Sequence, residues 1–326
     1  MEGGRPTVSV ALVPVQAEPL KGRDCLSLAD WKPEEIELIL DVAQKLKEKQ
    51  RRGERYTPLA GKTLAMIFDK PSTRTRVSFE TGIAQLGGYA LSLNRNELQL
   101  GRGETIADTA RVLSRYVDGI LIRTFEHRTV IELARYAEVP VINGLTDLHH
   151  PCQVLADLLT LREKKGSLVG LKLAFVGDGN NVAHSLLHGC AAMGVHISVA
   201  APEGYQPLSE VVEEARQIAK DTGAEITITT DPAEAVQQAD AVYTDVWASM
   251  GQEEEKELRK QIFGGYQVDA ELMSKAKPDA VFLHCLPAYR GWEVTADVLD
   301  GPQSVVWDQA ENRLHAQKAL MLLLMG

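Results

Sequence analysis

The chain has 326 residues, room for about two domains at the usual ~150 residues each. Its 35 Lys+Arg against 45 Asp+Glu give a formal net charge of -10, with 44% hydrophobic and 25% charged residues. That balance excludes a disordered chain, a collagen-like fibre and a disulfide-stapled miniprotein, and its acidity argues against wholesale nucleic-acid binding, which needs a basic surface.

Residues 1–19 read as a loose extension. Thr7 to Val13 is mildly apolar and Val15-Gln16-Ala17 loosely resembles a signal-peptidase site, but Glu2, Arg5, Ser9 and Pro14 interrupt a run already too short. No apolar run approaches the ~20 residues of a membrane span, so no membrane partner is expected. The four cysteines (Cys25, Cys152, Cys190, Cys285) form no C-x-x-C pair and fit a reducing compartment, so the expected location is cytoplasmic.

From there, helical periodicity alternates with short β-branched runs. A helix over Glu34–Lys49 precedes a strand at Thr63–Phe68, a helix at Thr75–Leu86, a strand at Tyr89–Leu93 and a helix at Thr105–Tyr116. Gly119–Ile122 and Val139–Ile142 read as strands around a helix at Thr129–Tyr136, and Pro151–Gly166 as a long amphipathic helix. Strands then follow at Lys172–Val176, His196–Ala200, Glu225–Thr229, Ala241–Thr244 and Ala280–Leu283, with helices at Asn181–Met193 and Ser209–Lys220 and a last one at Ala310–Leu324. Strands separated by helices need crossover connections and so form parallel sheets. The expected fold is α/β, with two doubly wound domains, each a mainly parallel sheet flanked by helices, bridged by the two long helices. The expected domains are 20–150, joined by the last helix at about 308–326, and 151–307. One local rule is broken: Pro33 suits the first position of its helix, yet Lys32 occupies the cap slot.

The chemistry concentrates in Phe68-Asp69-Lys70-Pro71-Ser72-Thr73-Arg74-Thr75-Arg76, directly after a strand and opening a helix. The first N–H groups of a helix lack internal partners and the helix dipole favours an anion there. Ser72, Thr73 and Thr75 add hydroxyl donors and Arg74 a planar fork for phosphate oxygens. The alternative is a capped helix with a solvated basic face. The segment lacks the Gly-Lys-Ser/Thr form of a nucleotide P-loop, which points to a small phosphorylated substrate rather than ATP.

Ser72-Thr73-Arg74-Thr75-Arg76 resembles the carbamoyl-phosphate motif of the aspartate/ornithine carbamoyltransferase family. Four further segments resemble that family's signatures in its order: His150-Pro151-Cys152-Gln153, Gly177-Asp178-Gly179-Asn180-Asn181, Asp245-Val246-Trp247-Ala248-Ser249-Met250-Gly251 and His284-Cys285-Leu286-Pro287. With Glu311-Asn312-Arg313, the resemblance runs from about Leu20 to the C-terminus. It implies transfer of a carbamoyl group from carbamoyl phosphate to the side-chain amine of L-ornithine, giving L-citrulline and phosphate, with no cofactor and no metal.

Residue by residue, the resemblance implies that Ser72, Thr73, Arg74 and Thr75 hold the phosphate, that Thr75, Arg123 and His150 face the carbonyl oxygen, and that Gln153 and the Leu286 carbonyl accept from the carbamoyl NH2, with Cys285 beside it. Arg313 closes the pocket from the last helix. Asn181, Asp245, Ser249 and the Met250 backbone N–H hold the amino acid. Asn180 reads as turn geometry and His184 as a weaker candidate. Aspartate-specific relatives carry Pro-Leu-Pro where this chain has Cys285-Leu286-Pro287, which favours ornithine. The resemblance also implies a cis bond at Leu286-Pro287, and a homotrimer or multiple of trimers whose sites are shared, Gln99 reaching across and Arg102 assisting.

An alkylammonium with a pKa near 10.4 leaves only about one neutral amine in a thousand near pH 7.4, so the site must favour the neutral form or accept its proton. The expectation is direct attack without a covalent enzyme intermediate, with Cys285 orienting the amine, Asp245 the nearest group to polarise Cys285, and the departing phosphate a further proton acceptor. Rival readings rest on single features. A dinucleotide site would need glycine where Val182 stands. A zinc site from His149, His150, Cys152, His284 and Cys285 matches no usual spacing. Cys25 and Cys190 read as core packing, and Glu253–Glu257 as a solvated helix face.

Overall fold

The computed structural model describes residues 20–94, 98, 99, 103–248 and 253–326. The expectations for residues 1–19, Arg102, Ser249 and Met250 lie outside the described residues. Among these residues, two all-parallel sheets are present. The first has the order β2-β1-β3-β4, from β1 (Thr63–Phe68), β2 (Tyr89–Asn94), β3 (Gly119–Arg123) and β4 (Val141–Leu145). The second has the order β7-β6-β5-β8-β9, from β5 (Lys172–Val176), β6 (His196–Ala200), β7 (Ile226–Thr229), β8 (Ala241–Thr244) and β9 (Val281–His284).

Both faces of the central strands are covered, which explains their near-continuous apolar composition. In β1, Leu64, Met66 and Phe68 join one core, while Ala65 and Ile67 join another with Ile120, Ile122 and Val141. The first of these cores does not stop at one sheet. It continues through Leu155 and Leu159 of α5 (Pro151–Lys165) and Leu320 and Leu323 of α12 (Val306–Met325) to Leu173, Phe175 and Tyr243 of the second sheet. The two long helices therefore weld the sheets together rather than merely link them.

Differences from the sequence reading have local causes. The fourth strand begins at Val141 rather than Val139 because Pro140 has no N–H for the ladder, and it runs on to pair Leu145 with Arg123. Thr105 is a cap rather than a helical residue of α3 (Ile106–Leu113), its hydroxyl accepting from the Asp108 N–H at 3.0 Å. Four short helices, α8 (Pro232–Val236), α9 (Lys256–Ile262), α10 (Ala270–Ser274) and α11 (Ala296–Leu299), are too brief to show a period. At the start of α1 (Pro33–Arg51), the Glu35 carboxylate reaches back to accept the Lys32 N–H at 2.9 Å, supplying from inside the helix what Lys32 cannot. Cys25 and Cys190 are buried in the main core. No helix among the described residues is long and apolar enough to cross a membrane.

Candidate active site

In each sheet the strand order reverses once, between β1 and β3 and between β5 and β8. Loops leaving adjacent strands there turn to opposite faces of the sheet, which opens a crevice at the strands' carboxyl ends. The two crevices face each other across one cleft of about 1010 Å³. Ser72, Thr73, Arg74, Thr75, Arg123, His150, Gln153, Asn181, Asp245, Cys285, Leu286 and Arg313 all line it. Gln99 is exposed and is not among its lining residues.

On the first sheet's side, α2 (Arg74–Gln85) starts without a side-chain cap and carries no acidic residue in its first turn. Its leading N–H groups are thus left for an anion. Arg313 is buried and held by neutral acceptors, donating from Nη1 to Gln153 Oε1 at 2.7 Å and from Nη2 to Thr75 Oγ1 at 3.1 Å. Burial, then the charges of Arg313 and Arg74, brings the Arg123 guanidinium down to about 10. A group of guanidiniums that repel one another in a desolvated cleft is matched to a dianion.

His150 caps α5 ahead of Pro151, whose missing N–H falls where no helical bond is needed. Its backbone N–H donates to Ser185 Oγ at 2.7 Å. Burial, then Arg313, Arg123 and Arg74, holds its imidazole well below the usual range, so it is neutral and has one N–H to donate. Its Nδ1 is buried and has no hydrogen-bond partner among the described residues.

On the second sheet's side, Asp245 follows β8. Its Oδ1 accepts from the Cys285 thiol at 2.9 Å and from the Val246 N–H at 2.8 Å, and its Oδ2 from Asn180 Nδ2 at 2.8 Å. Asn180 also caps α6 (Asn181–Ala192) through Oδ1, which accepts from Val182 and Ala183. Burial, then the Asp245 charge, pushes the Cys285 thiol well up, so it stays protonated. Asn181 donates to the Thr146 carbonyl at 2.6 Å. The Leu286-Pro287 bond is cis, as the resemblance implied, and Leu286 sits at φ 59. His284 locks that turn: its Nδ1 accepts from the Leu286 N–H at 2.8 Å and its Nε2 meets Glu293 Oε1 at 3.1 Å.

Among the described residues, side chains behind the rival readings have structural roles. Gly179 is required by the chain itself, since a Cβ there would lie 2.2 Å from Pro207 N. Asp245, His284 and Cys285 place possible ligand atoms within 4.8 Å of one another, but both His284 nitrogens are engaged in holding the turn. His149 packs instead with His127, His184 and His188, at ring distances of 5.0, 6.3 and 5.3 Å.

Several residues of the cleft had no signal of their own. Buried Lys70 donates to Asp147 Oδ1 at 2.5 Å and lies 4.0 Å from the centre of the Phe125 ring. Arg259 donates to Asp178 Oδ2 at 2.7 Å, while burial raises that carboxyl to about 6. Glu255, in the run read as solvated, accepts from Arg259 Nε at 2.8 Å. Asn180 adjoins a residue already singled out, but only its contact with Asp245 shows a second task.

With this geometry in hand, comparison with known proteins is specific. Residues 23–163 match the carbamoyl-P binding domain and residues 169–324 the Asp/Orn binding domain of aspartate/ornithine carbamoyltransferase. An ornithine carbamoyltransferase of Anoxybacillus flavithermus is 64% identical over 306 residues, covering 94% of this chain and 98% of that protein. The ornithine carbamoyltransferase structure from Pyrococcus furiosus superimposes with a TM-score of 0.92 at 59% identity, covering 94% of this chain and 98% of that one. That from Gloeobacter violaceus gives 0.84 at 51%, covering 94% and 99%.

Proposed function

The chain belongs to the aspartate/ornithine carbamoyltransferase family, and from that premise we propose that it transfers the carbamoyl group of carbamoyl phosphate to the side-chain amine of L-ornithine, giving L-citrulline and phosphate in arginine metabolism. The observation that carries this reading is the meeting of an uncapped helix N-terminus with Arg74 and Arg313 on one wall of the cleft and Asp245 with Cys285 on the other.

The phosphate lies on the α2 N-terminus with Ser72, Thr73, Arg74 and Thr75. Thr75, Arg123 and His150 face the carbonyl oxygen, where negative charge grows as the amine attacks; donors aimed at that charge lower the barrier most. Gln153 and the Leu286 carbonyl accept from the carbamoyl NH2, and Arg313 closes the wall. A carboxylate has about four lone-pair sites, and three of Asp245's are taken, which leaves one for the ammonium of the amino acid. Asn181, Ser249 and Met250 serve the rest of that substrate.

The ammonium first releases one proton to solvent; as the neutral amine attacks, the new C–N bond forms, the C–O bond to phosphate breaks, and the attacking nitrogen sheds a second proton. Cys285 already carries a proton and Asp245 is engaged, so the departing phosphate accepts it. A protonated, desolvated thiol is a poor nucleophile, which favours direct attack over a carbamoylated cysteine.

Residues 20–150 with the last helix form the carbamoyl-phosphate domain, and 151–307 the ornithine domain. The enzyme is a cytoplasmic homotrimer or multiple of trimers, each site completed by Gln99 of a neighbour. The test of the function is citrulline formation with ornithine, putrescine, lysine and aspartate offered in turn. Ornithine is expected to be strongly preferred; a clear putrescine preference would refute the Asp245 reading.

A further inference from the structure

Asp157 lies fully buried in the middle of α5, one turn after Gln153, and no step above uses it. Its Oδ1 accepts from Gln153 Nε2 at 2.8 Å and from Gln309 Nε2 at 2.7 Å. The far ends of both amides meet donors. Gln153 Oε1 accepts from Arg313 Nη1 at 2.7 Å, and Gln309 Oε1 from the His284 backbone N–H at 2.9 Å. A primary amide has a donor end and an acceptor end of nearly equal size, so its surroundings decide which way it points. Each of these two is held between a carboxylate, which accepts when ionised, and a group that only donates. One orientation satisfies both ends.

That orientation matters at the cleft. Gln153 Oε1 keeps a second lone pair beside Arg313, where the carbamoyl NH2 needs an acceptor. With the amide reversed, its NH2 would oppose both the guanidinium and the substrate's NH2. Gln309, meanwhile, holds His284 and with it the turn that carries Cys285 and the Leu286 carbonyl. We propose that Asp157 is a positioning residue for carbamoyl transfer, a buried carboxylate that turns both amides oxygen-outward and so aligns the Gln153 acceptor and the Cys285-Leu286 turn from one atom. The proposal rests on the carbamoyltransferase reading.

Its location supports the role. Asp157 sits where α5, α12 and the β8–β9 half of the second sheet meet, so it ties a group from each wall of the cleft to one point. Burial raises its carboxyl to about 7, against the hydrogen bonds of Gln153, Gln309 and Tyr243 and the charge of Arg313. A buried carboxyl is costly for stability compared with an apolar residue of similar size. Orientation is what it supplies in exchange, since its partners are neutral amides and a phenol.

Steady-state kinetics on substituted enzymes test this. Asp157→Leu, which keeps similar volume but removes the acceptor, is expected to lower kcat about 10- to 100-fold per folded active site, with the KM for ornithine within about twofold. Asp157→Asn keeps a carbonyl oxygen at that point and is expected to recover kcat to within about fivefold of the unsubstituted enzyme. If Asp157→Leu does not fold, Asp157→Ala takes its place in the same comparison. An unchanged kcat per folded site in the apolar variant, or an Asn variant as impaired as the apolar one, would overturn the proposal. Failure of the functional reading shows separately, as an unsubstituted chain that makes no citrulline.

Discussion

The Cys285 thiol donates to Asp245 Oδ1 at 2.9 Å, joining the turn after β9 to the loop after β8. Burial and then the Asp245 charge keep this thiol protonated, which makes it a donor rather than a nucleophile. Asp245→Asn removes the charge and lets the thiol ionise more readily. Alkylation of Cys285 by iodoacetamide at pH 8 is expected to be slow in the unsubstituted enzyme and severalfold faster in Asp245→Asn. Equal rates in the two proteins would contradict the coupling.

Arg313 is held by Gln153 and Thr75, both neutral, so its charge is left for substrate. Arg313→Leu is expected to raise the KM for carbamoyl phosphate by ~10- to 100-fold, about 1.4–2.7 kcal/mol of binding, with a smaller effect on ornithine. Initial-rate measurements with each substrate varied in turn decide this. A loss confined to ornithine would place Arg313 on the wrong wall.

Asn180 does two jobs with two ends of one amide, capping α6 with Oδ1 and holding Asp245 with Nδ2. Asn180→Ser keeps a cap and loses the grip on Asp245, whereas Asn180→Ala loses both. The Ala variant is expected to be about 1 kcal/mol less stable in urea denaturation, while Ser stays near the unsubstituted protein. Both are expected to raise the KM for ornithine. An ornithine KM unchanged in the Ser variant would separate Asn180 from the substrate.

The histidine cluster gives a pH dependence. Burial and then the other histidines push His149 down to about 2; burial and then His184 push His188 down to about 4. His127 and His184 are lowered by burial too. Because the folded pKa values lie below the unfolded value of about 6.5, the unfolded chain takes up protons first. The stability these histidines contribute is complete above about pH 6.5 and is lost as the pH falls toward the folded values. Between pH 6.5 and 5 each strongly depressed histidine is expected to cost about 2 kcal/mol. Because the raised carboxyls of Asp157 and Asp178 gain stability as the pH falls, urea denaturation at pH 7 and pH 5 is compared between the unsubstituted protein and His149→Gln, and the same pH dependence in both would refute neutral burial of His149.

Gln99 is exposed and is not among the residues that line the cleft of its own chain. If sites are shared between subunits, mixing an Arg74→Ala chain with a Gln99→Ala chain restores some sites with neither defect, and activity is expected to recover in the hybrids. Hybrids as inactive as their parents would confine each site to one chain.

Much of this was legible in the sequence because it is local. Residues 63–68, 172–176, 196–200 and 241–244 form strands with the expected bounds, since β-branched runs ended by turn residues carry their own signal. The start of α2 after Ser72-Thr73 follows from the chemistry of a helix terminus, and the order of five motifs named the family. Even the two long helices showed as periodic stretches, although the periodicity did not reveal that α12 buries Gln309, Asn312 and Arg313 among the polar side chains of α5.

Tertiary structure alone decided what those residues do to one another. Arg313 meets Gln153 across 160 positions, Gln309 meets Asp157 across 152, and Asp245 meets Asn180 across 65. No spacing rule reaches so far. Composition and charge admitted a two-domain enzyme and motif order identified its chemistry, because residue type and short-range pattern are written along the chain. Which way an amide points, whether a histidine is neutral and whether a thiol keeps its proton depend on burial and on neighbours that the fold brings together, and those are properties of the folded chain.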